Sequence, residues 1–424
     1  MGANGVRSDD ILLLRDGRAS VLVRNNLHKV IAPVLCLGLF FLSPFCFETV
    51  RGQMQGPVKS VEDSVLAGLV KPDEPGLAML LRVGGRNGYI RTEGVRELRS
   101  KTKIDARTNF RLASFTKQFT AMAIMLLAHD GKLRYDQTLT EIFPDFPTYG
   151  KNISIRNLLN HTSGLTDYED LMDAYEKKQG ATWTPEHQIQ DAEVLQLLEK
   201  ESAGKFPPGT SWSYSNSGYV MLGLIVAKVS GKSYGEFLHQ RIFSPLKMNH
   251  TIVFEKEKNQ VANRAFGHTR ENGAFKETDQ SATSATLGDG GIYSNLEDLA
   301  KWDDALRNHT LLSEKEMQPA LTPVKLADGS QPHWPLDTNG NNLHPGQPVS
   351  YGFGWFLDPY ASTLAEPRTP HARMWHTGST MGFRAVIERF TEGDGLTVIL
   401  LCNRTDLDPE KLALQVASYY PPLK

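Results

Sequence analysis

Hydrophobic and polar positions divide the chain into an apolar leader, a body of helical and strand patterns, and a strand-rich tail. In the leader, residues 30–47 (VIAPVLCLGLFFLSPFCF) are almost all apolar and follow Arg24, His28 and Lys29, the pattern of an export signal. An uncleaved anchor is the alternative, since about 18 apolar residues barely span a bilayer, and Pro33 and Pro44 weaken a helix there. A polar linker over 51–60 and an amphipathic helix near 61–70 come next. Residues 76–83 and 88–92 then read as two strands of a hairpin turning through Gly84-Gly85-Arg86-Asn87. From Phe119 the chain is apolar, with no Gly or Pro until Gly131, which predicts a buried helix opening at Ser114. Helical periodicity dominates 136–248, with helices expected at 155–159, 192–199, 217–229 and 234–243. Another helix is expected near 296–306. A polar loop over 321–348 lies near the mouth of the site, and 351–357 reads as a strand. Two further strands, 384–390 and 396–402, flank Glu392-Gly393-Asp394-Gly395, and a last helix runs over 409–419.

Strands at both ends with helices between them predict an α+β fold, in which N- and C-terminal strands build one antiparallel sheet beside a helical subdomain. The expected organisation is a signal or anchor with a polar extension over 1–50, then one domain over 61–424 whose helical part spans about 136–290. Composition narrows the function. The 424 residues carry a net charge of −2, which provides no basic surface for nucleic acid. Cys36 and Cys46 fall in the leader, so Cys402 stands without a partner for a disulfide or a cysteine metal cluster. No metal or cofactor is expected. The partner is a small-molecule or peptide substrate, with membrane association through 30–47 if the leader is retained. The location expected is outside the cytoplasm, periplasmic or extracellular.

Three motifs carry the chemistry: Ser114-Phe115-Thr116-Lys117, Tyr214-Ser215-Asn216 and His376-Thr377-Gly378. Ser-x-x-Lys alone is weak, and Ser100/Lys103, Ser202/Lys205 and Ser244/Lys247 also fit it. Only Ser114 begins an apolar helix, where residues three apart share a face about 5–6 Å apart at Cβ. Lys117 then stands one turn behind the Ser114 hydroxyl and, when neutral, can take its proton. The helix start also offers free N–H groups to an oxyanion. Tyr214 lies in a loop ending at a helix start, from which a phenol can pass a proton to a leaving group, while Asn216 contacts the substrate or Lys117. Gly378 permits close backbone approach, so the Ser379 N–H pairs with that of Ser114 as an oxyanion hole. His376, partly charged near neutral pH, is expected to orient a substrate carboxylate, with Thr377 and Gly378 beside it. A second His-Thr pair, His161-Thr162, reads as a helix cap.

With these motifs placed, the chain resembles the serine β-lactamase and penicillin-binding superfamily, in particular its class C β-lactamase and D-alanyl-D-alanine carboxypeptidase branch. Asn157-Leu158-Leu159-Asn160-His161-Thr162-Ser163-Gly164-Leu165, Phe206-Pro207-Pro208-Gly209, Gly290-Gly291-Ile292-Tyr293-Ser294 and Tyr351-Gly352-Phe353-Gly354-Trp355 extend the likeness from about Val61 to the C-terminus. The resemblance implies acylation of Ser114, with Lys117 and Tyr214 as its base system. His376 replaces the lysine of cephalosporin-hydrolysing members and matches the histidine of carboxypeptidases, D-amino-acid peptidases and some esterases of that branch. The expected activity is hydrolysis of a D-amino-acid peptide or small ester. The alternatives are a β-lactamase proper, or a penicillin-binding sensor or scaffold that does not turn over.

Overall fold

The computed structural model describes residues 65–336, 344–361 and 370–420, all within one compact unit, Gln53–Lys424. The apolar leader and linker lie outside the described residues, as do residues 61–64 of the helix expected over 61–70. Twelve strands are present among the described residues: β1 (Leu77–Val83), β2 (Arg86–Glu93), β3 (Phe110–Arg111), β4 (Ile252–Val253), β5 (His268–Glu271), β6 (Ala274–Glu277), β7 (Ile292–Ser294), β8 (Tyr360–Ala361), β9 (Pro370–His371), β10 (Arg373–Thr380), β11 (Phe383–Phe390) and β12 (Leu396–Cys402). The main sheet runs β10-β11-β12-β1-β2. All its neighbours are antiparallel, and β1 pairs with β12 from Leu77↔Cys402 to Val83↔Leu396. The two ends of the domain therefore close one sheet, as the pattern of the sequence predicts. The β1–β2 hairpin turns through Gly84 and Gly85, both with positive φ (58° and 75°), the backbone a two-residue primed turn requires.

Both faces of this sheet are covered, which is why β1 is apolar at successive positions instead of alternating. Helix Pro409–Ala417 covers one face, packing Ala413 and Val416 against Leu77, Met79, Leu81, Val398 and Leu400. Ala78, Leu80, Ile387, Ile399 and Leu401 face the other way into the main core, with Phe115, Phe119 and Trp302. A buried charge cluster locks helix Leu296–Arg307 onto the sheet. Asp303 takes Arg82 Nη1 and Arg389 Nε at 2.7 Å each, and Thr397 Oγ1 at 2.9 Å.

Helix α1 (Lys117–His129) runs through the core, with every residue from Lys117 to Leu127 buried. It packs against α2 (Asn216–Ser230). Apolar burial on all sides, at about 2 kcal/mol for each large side chain, fixes its axis and so the start of its first turn. The small sheet β3-β7-β4 completes the frame, since Phe110↔Ser294 and Arg111↔Tyr293 carry the chain into the turn just before α1.

Three expectations meet a different outcome. The helix does not open at Ser114: residues Ala113–Thr116 form a 3₁₀ turn, and α1 starts at Lys117. Residues 351–357 are not a strand. Gly354 has φ +78°, and the chain folds back so that the Gly352 N–H donates to the Trp355 carbonyl at 2.9 Å. The alternation of aromatic residues and glycine there marks a turn held by ring packing. Helix Tyr168–Gln179, too polar to stand out by periodicity, is present where none was expected.

Candidate active site

Ser114 sits in the 3₁₀ turn, whose predecessor Ala113 has a left-handed backbone (φ +47°). Side chains three apart nearly eclipse in such a turn, which brings Lys117 directly under the serine. Lys117 Nζ lies 2.9 Å from Ser114 Oγ. The lysine is fully buried, whereas Ser114 is partly exposed. Lys117 Nζ also donates to Asn216 Oδ1 at 2.9 Å and to the Asp289 carbonyl at 3.1 Å. Three acceptors saturate an ammonium; a neutral amine in the same place keeps two of them and turns its lone pair to the Ser114 hydroxyl. The rivals stand outside: Lys103 and Lys205 are solvent-exposed, beside Asp73 and Asp170.

Asn216 is the first residue of α2. Ser215 caps that helix by accepting the Gly218 N–H at 3.0 Å, and the Asn216 N–H is taken by Asp167 Oδ2 at 2.8 Å. The capping role and the lysine contact therefore fall to adjacent residues. Just before them, the Tyr214 ring lies 4.9 Å from Lys117 Nζ, and its hydroxyl makes no hydrogen bond among the described residues. The ring packs against a wall of Trp212, Trp334, Tyr351, Phe356 and Trp375. Trp334 belongs to the polar loop expected near the mouth.

The third motif lies on β10, the edge strand of the sheet. Trp375 directs both its backbone groups outward to Phe356, at 2.9 and 3.0 Å, so by the period of two Thr377 and Ser379 also face the open edge. That edge backs onto the Ser114 turn. A Cβ on Gly378 would stand 1.9 Å from the Leu112 carbonyl oxygen, so only glycine permits this approach. Within the turn, the first internal bond runs from the Phe115 N–H to Leu112, which leaves the Ser114 N–H outside the helical ladder. Contacts thus bring together Ser114, Lys117, Asn216, Tyr214 and His376, and Gly378 stands against the Ser114 turn with Thr377 and Ser379 on either side of it along β10.

His376 departs from expectation in its charge. Its ring is 1% exposed; burial first, and then the Lys117 charge, lower its pKa to about 3. Nδ1 meets the Thr377 carbonyl at 2.6 Å, and Nε2 lies 3.2 Å from the Tyr351 hydroxyl. A carbonyl only accepts, so Nδ1 carries the hydrogen and Nε2 accepts from Tyr351. The imidazole is neutral with both nitrogens engaged, and it presents no charge to a carboxylate. A stability measurement follows from this. Between pH 6.5 and about 3 the unfolded chain binds a proton at His376 that the folded chain refuses, so stability falls as pH drops through that window. The wild-type advantage in urea midpoint over His376→Gln is expected to shrink from pH 7 to pH 4; an advantage that grows on acidification contradicts the neutral imidazole.

Sequence reasoning missed two contributors. The Asp289 carbonyl holds Lys117 through backbone, which no side-chain motif reveals. Tyr351 holds His376 from within a motif that reads as a strand.

The Beta-lactamase family model matches residues 54–419. Penicillin-binding protein 4* of Bacillus subtilis (strain 168) is 31% identical over 356 residues, covering 80% of this chain and 71% of its own. A D-aminopeptidase of Cereibacter sphaeroides is 27% identical over 320 residues, and the chain spans 54% of that protein's length. Among solved structures, the D-amino acid amidase of Ochrobactrum anthropi SV3 complexed with L-phenylalanine amide superposes with a TM-score of 0.66. That match has 25% identity and covers 86% of this chain and 96% of the amidase. A buried lysine under a serine, an asparagine on the lysine and an edge strand behind the turn thus coincide with a family match across nearly the whole described chain, and the protein belongs to the Beta-lactamase family as one of its serine hydrolases.

Proposed function

We propose that the protein hydrolyses an amide or ester of a D-amino acid or short D-peptide that carries a free amino group, through an acyl-enzyme on Ser114. The observation that carries this reading is the buried Lys117 Nζ, 2.9 Å from both Ser114 Oγ and Asn216 Oδ1. With Lys117 neutral, the Ser114 proton passes to Nζ as Oγ attacks the substrate carbonyl carbon. The resulting oxyanion lies between the Ser114 and Ser379 N–H groups. The bond to the leaving nitrogen or oxygen then breaks, and Tyr214 delivers a proton to it, replenished from Lys117. Water attacks the acyl carbonyl, gives up its proton along the same route, and Ser114 leaves with its hydroxyl restored.

Charge favours the amino end of the substrate. Neutral His376 offers no counter-charge to a carboxylate next to the scissile bond. On the other side, Asp167 binds the Asn216 N–H, and Asp289 holds Lys117 through its carbonyl. Partial desolvation first, and then the charges of Asp167 and Asp289, raise the carboxyl of the surface neighbour Glu169 above its usual range. Crowded carboxylates favour a cationic group among them. The D-configuration rests on likeness to the D-aminopeptidase. The same reading has residues 30–47 lead the protein out of the cytoplasm; among the described residues no helix is long and apolar enough to cross a membrane.

A substrate panel tests this, with Ser114→Ala as the baseline. D-Phenylalanine amide and D-alanine p-nitroanilide are expected to be cleaved at least about tenfold better, in kcat/KM, than their N-acetylated forms or an N-acyl-D-Ala-D-Ala with a free carboxylate. Preference for the free carboxylate, or indifference to N-acetylation, refutes the substrate assignment. A nitrocefin rate above both refutes it in favour of a β-lactamase.

A further inference from the structure

The pair His161-Thr162 reads in the sequence as a helix cap, yet its histidine lies within the site. His161 is fully buried and holds a left-handed backbone, with φ +63°. Its contacts converge on one short stretch of chain. The His161 carbonyl accepts the Ser213 N–H at 3.0 Å, and its ring Nδ1 accepts the Ser215 N–H at 3.1 Å. These are the residues on either side of Tyr214. Between the two bonds, the imidazole lies against the Tyr214 ring, with centroids 4.4 Å apart and planes tilted by 34°. Its other flank meets Tyr351, at 4.5 Å, the residue that holds His376.

The protonation state follows from geometry. A backbone N–H can only donate, so Nδ1 must be bare and the ring hydrogen sits on Nε2. Nε2 has no hydrogen-bond partner among the described residues. The fold thus tolerates a buried unpaired donor and a left-handed non-glycine backbone in one residue. Both cost stability, and such costs persist where neighbouring structure requires the geometry. An apolar residue here would leave the Ser215 N–H unpaired, and an imidazolium would turn Nδ1 into a donor facing another donor.

We propose that His161 is the positioning residue of the Tyr214 phenol: its carbonyl and its neutral Nδ1 pin the two neighbours of Tyr214, and its ring sets the tilt of the phenol toward Lys117. The proposal rests on Tyr214 being part of the proton route. It needs no particular substrate, so a p-nitrophenyl ester serves as the probe.

His161→Gly relaxes the backbone and keeps the carbonyl contact, but removes the ring and its acceptor. His161→Asn keeps an acceptor oxygen near the place of Nδ1 and tolerates positive φ. Glycine is expected to lower kcat roughly 30-fold or more with KM within about threefold, because misplacing a catalytic group by a fraction of an ångström slows chemistry rather than binding. Asparagine is expected to recover about tenfold of that loss. In a Tyr214→Phe background, both substitutions are expected to cost less than about threefold, since the group they position is gone. Additive losses in that background, or Asn no better than Gly, overturn the proposal. Should His161→Gly fail to fold, His161→Asn with and without Tyr214→Phe decides by the same additivity. A Tyr214→Phe enzyme at the wild-type rate would instead sink the role of Tyr214 itself, an outcome separate from a failure of the clamp.

Discussion

Replacing Lys117 by methionine is expected to slow acylation of Ser114 about 10³–10⁴-fold while leaving the protein folded. The two halves of that expectation come from different physics. Methionine fills much of the volume of the lysine stem, so α1 keeps its packing in a core where Lys117 is fully buried. It leaves Asn216 Oδ1 and the Asp289 carbonyl without their donor, at a cost of about 1–3 kcal/mol each. Relief from burying an amine and its charge offsets part of that cost, so the thermal midpoint should move by only a few degrees. Acylation has no such compensation, because Ser114 Oγ loses the one basic nitrogen within hydrogen-bond reach among the described residues. The rate of Ser114 labelling by a fluorophosphonate, measured beside the melting curve, separates the two. Lys117→Arg is expected to fail as well, since guanidinium does not give up its proton and cannot act as a base. A methionine variant that labels within tenfold of wild type would remove Lys117 from the mechanism.

What the sequence revealed, and what it hid, follows from where each cause lies. Ser114 and Lys117 stood out because an apolar run without Gly or Pro must be a buried helix, and a lysine at its start cannot be a surface residue. The sheet was legible from β1, β11 and β12, whose strand patterns end at Gly-rich turns. Three features stayed hidden because their causes are tertiary. Gly354 turns the 351–357 segment, and Tyr351 and Phe356 on either side of it pack into the Tyr214 wall, so local alternation mimics a strand. His376 looks titratable until β10 is packed into the core, where burial and Lys117 take its charge away. His161 resembles a cap because its backbone does make local turns; its second role appears only once Ser213 and Ser215, more than 50 residues further along the chain, come to rest against it.

Gly378→Ala is the sharper test of the architecture, because it adds one methyl group and touches no reacting atom. The alanine Cβ would fall 1.9 Å from the Leu112 oxygen, 3.0 Å from the Leu112 carbonyl carbon and 3.4 Å from the Phe115 nitrogen. All three are backbone atoms of the turn that carries Ser114, so no side chain can swing aside. Relief requires β10 and the turn to part by more than about an ångström, in a region where interiors pack like crystals. Strand pairing resists from one side, since β10 is bonded to β11 along its whole length, and α1 resists from the other. On the proposal that the Ser114 and Ser379 N–H groups hold one oxyanion, opening that gap separates the two donors. Losing one such donor costs about 10²–10³ in kcat, and an ångström of misplacement is worth about as much. The variant is expected to fold with a lowered thermal midpoint, to retain substrate affinity within about fivefold, and to lose at least about 100-fold in kcat. Retention of half the wild-type kcat in a folded Gly378→Ala enzyme would mean that the β10 edge does not form the back of the oxyanion site, and the pairing of Ser114 with Ser379 would have to be abandoned.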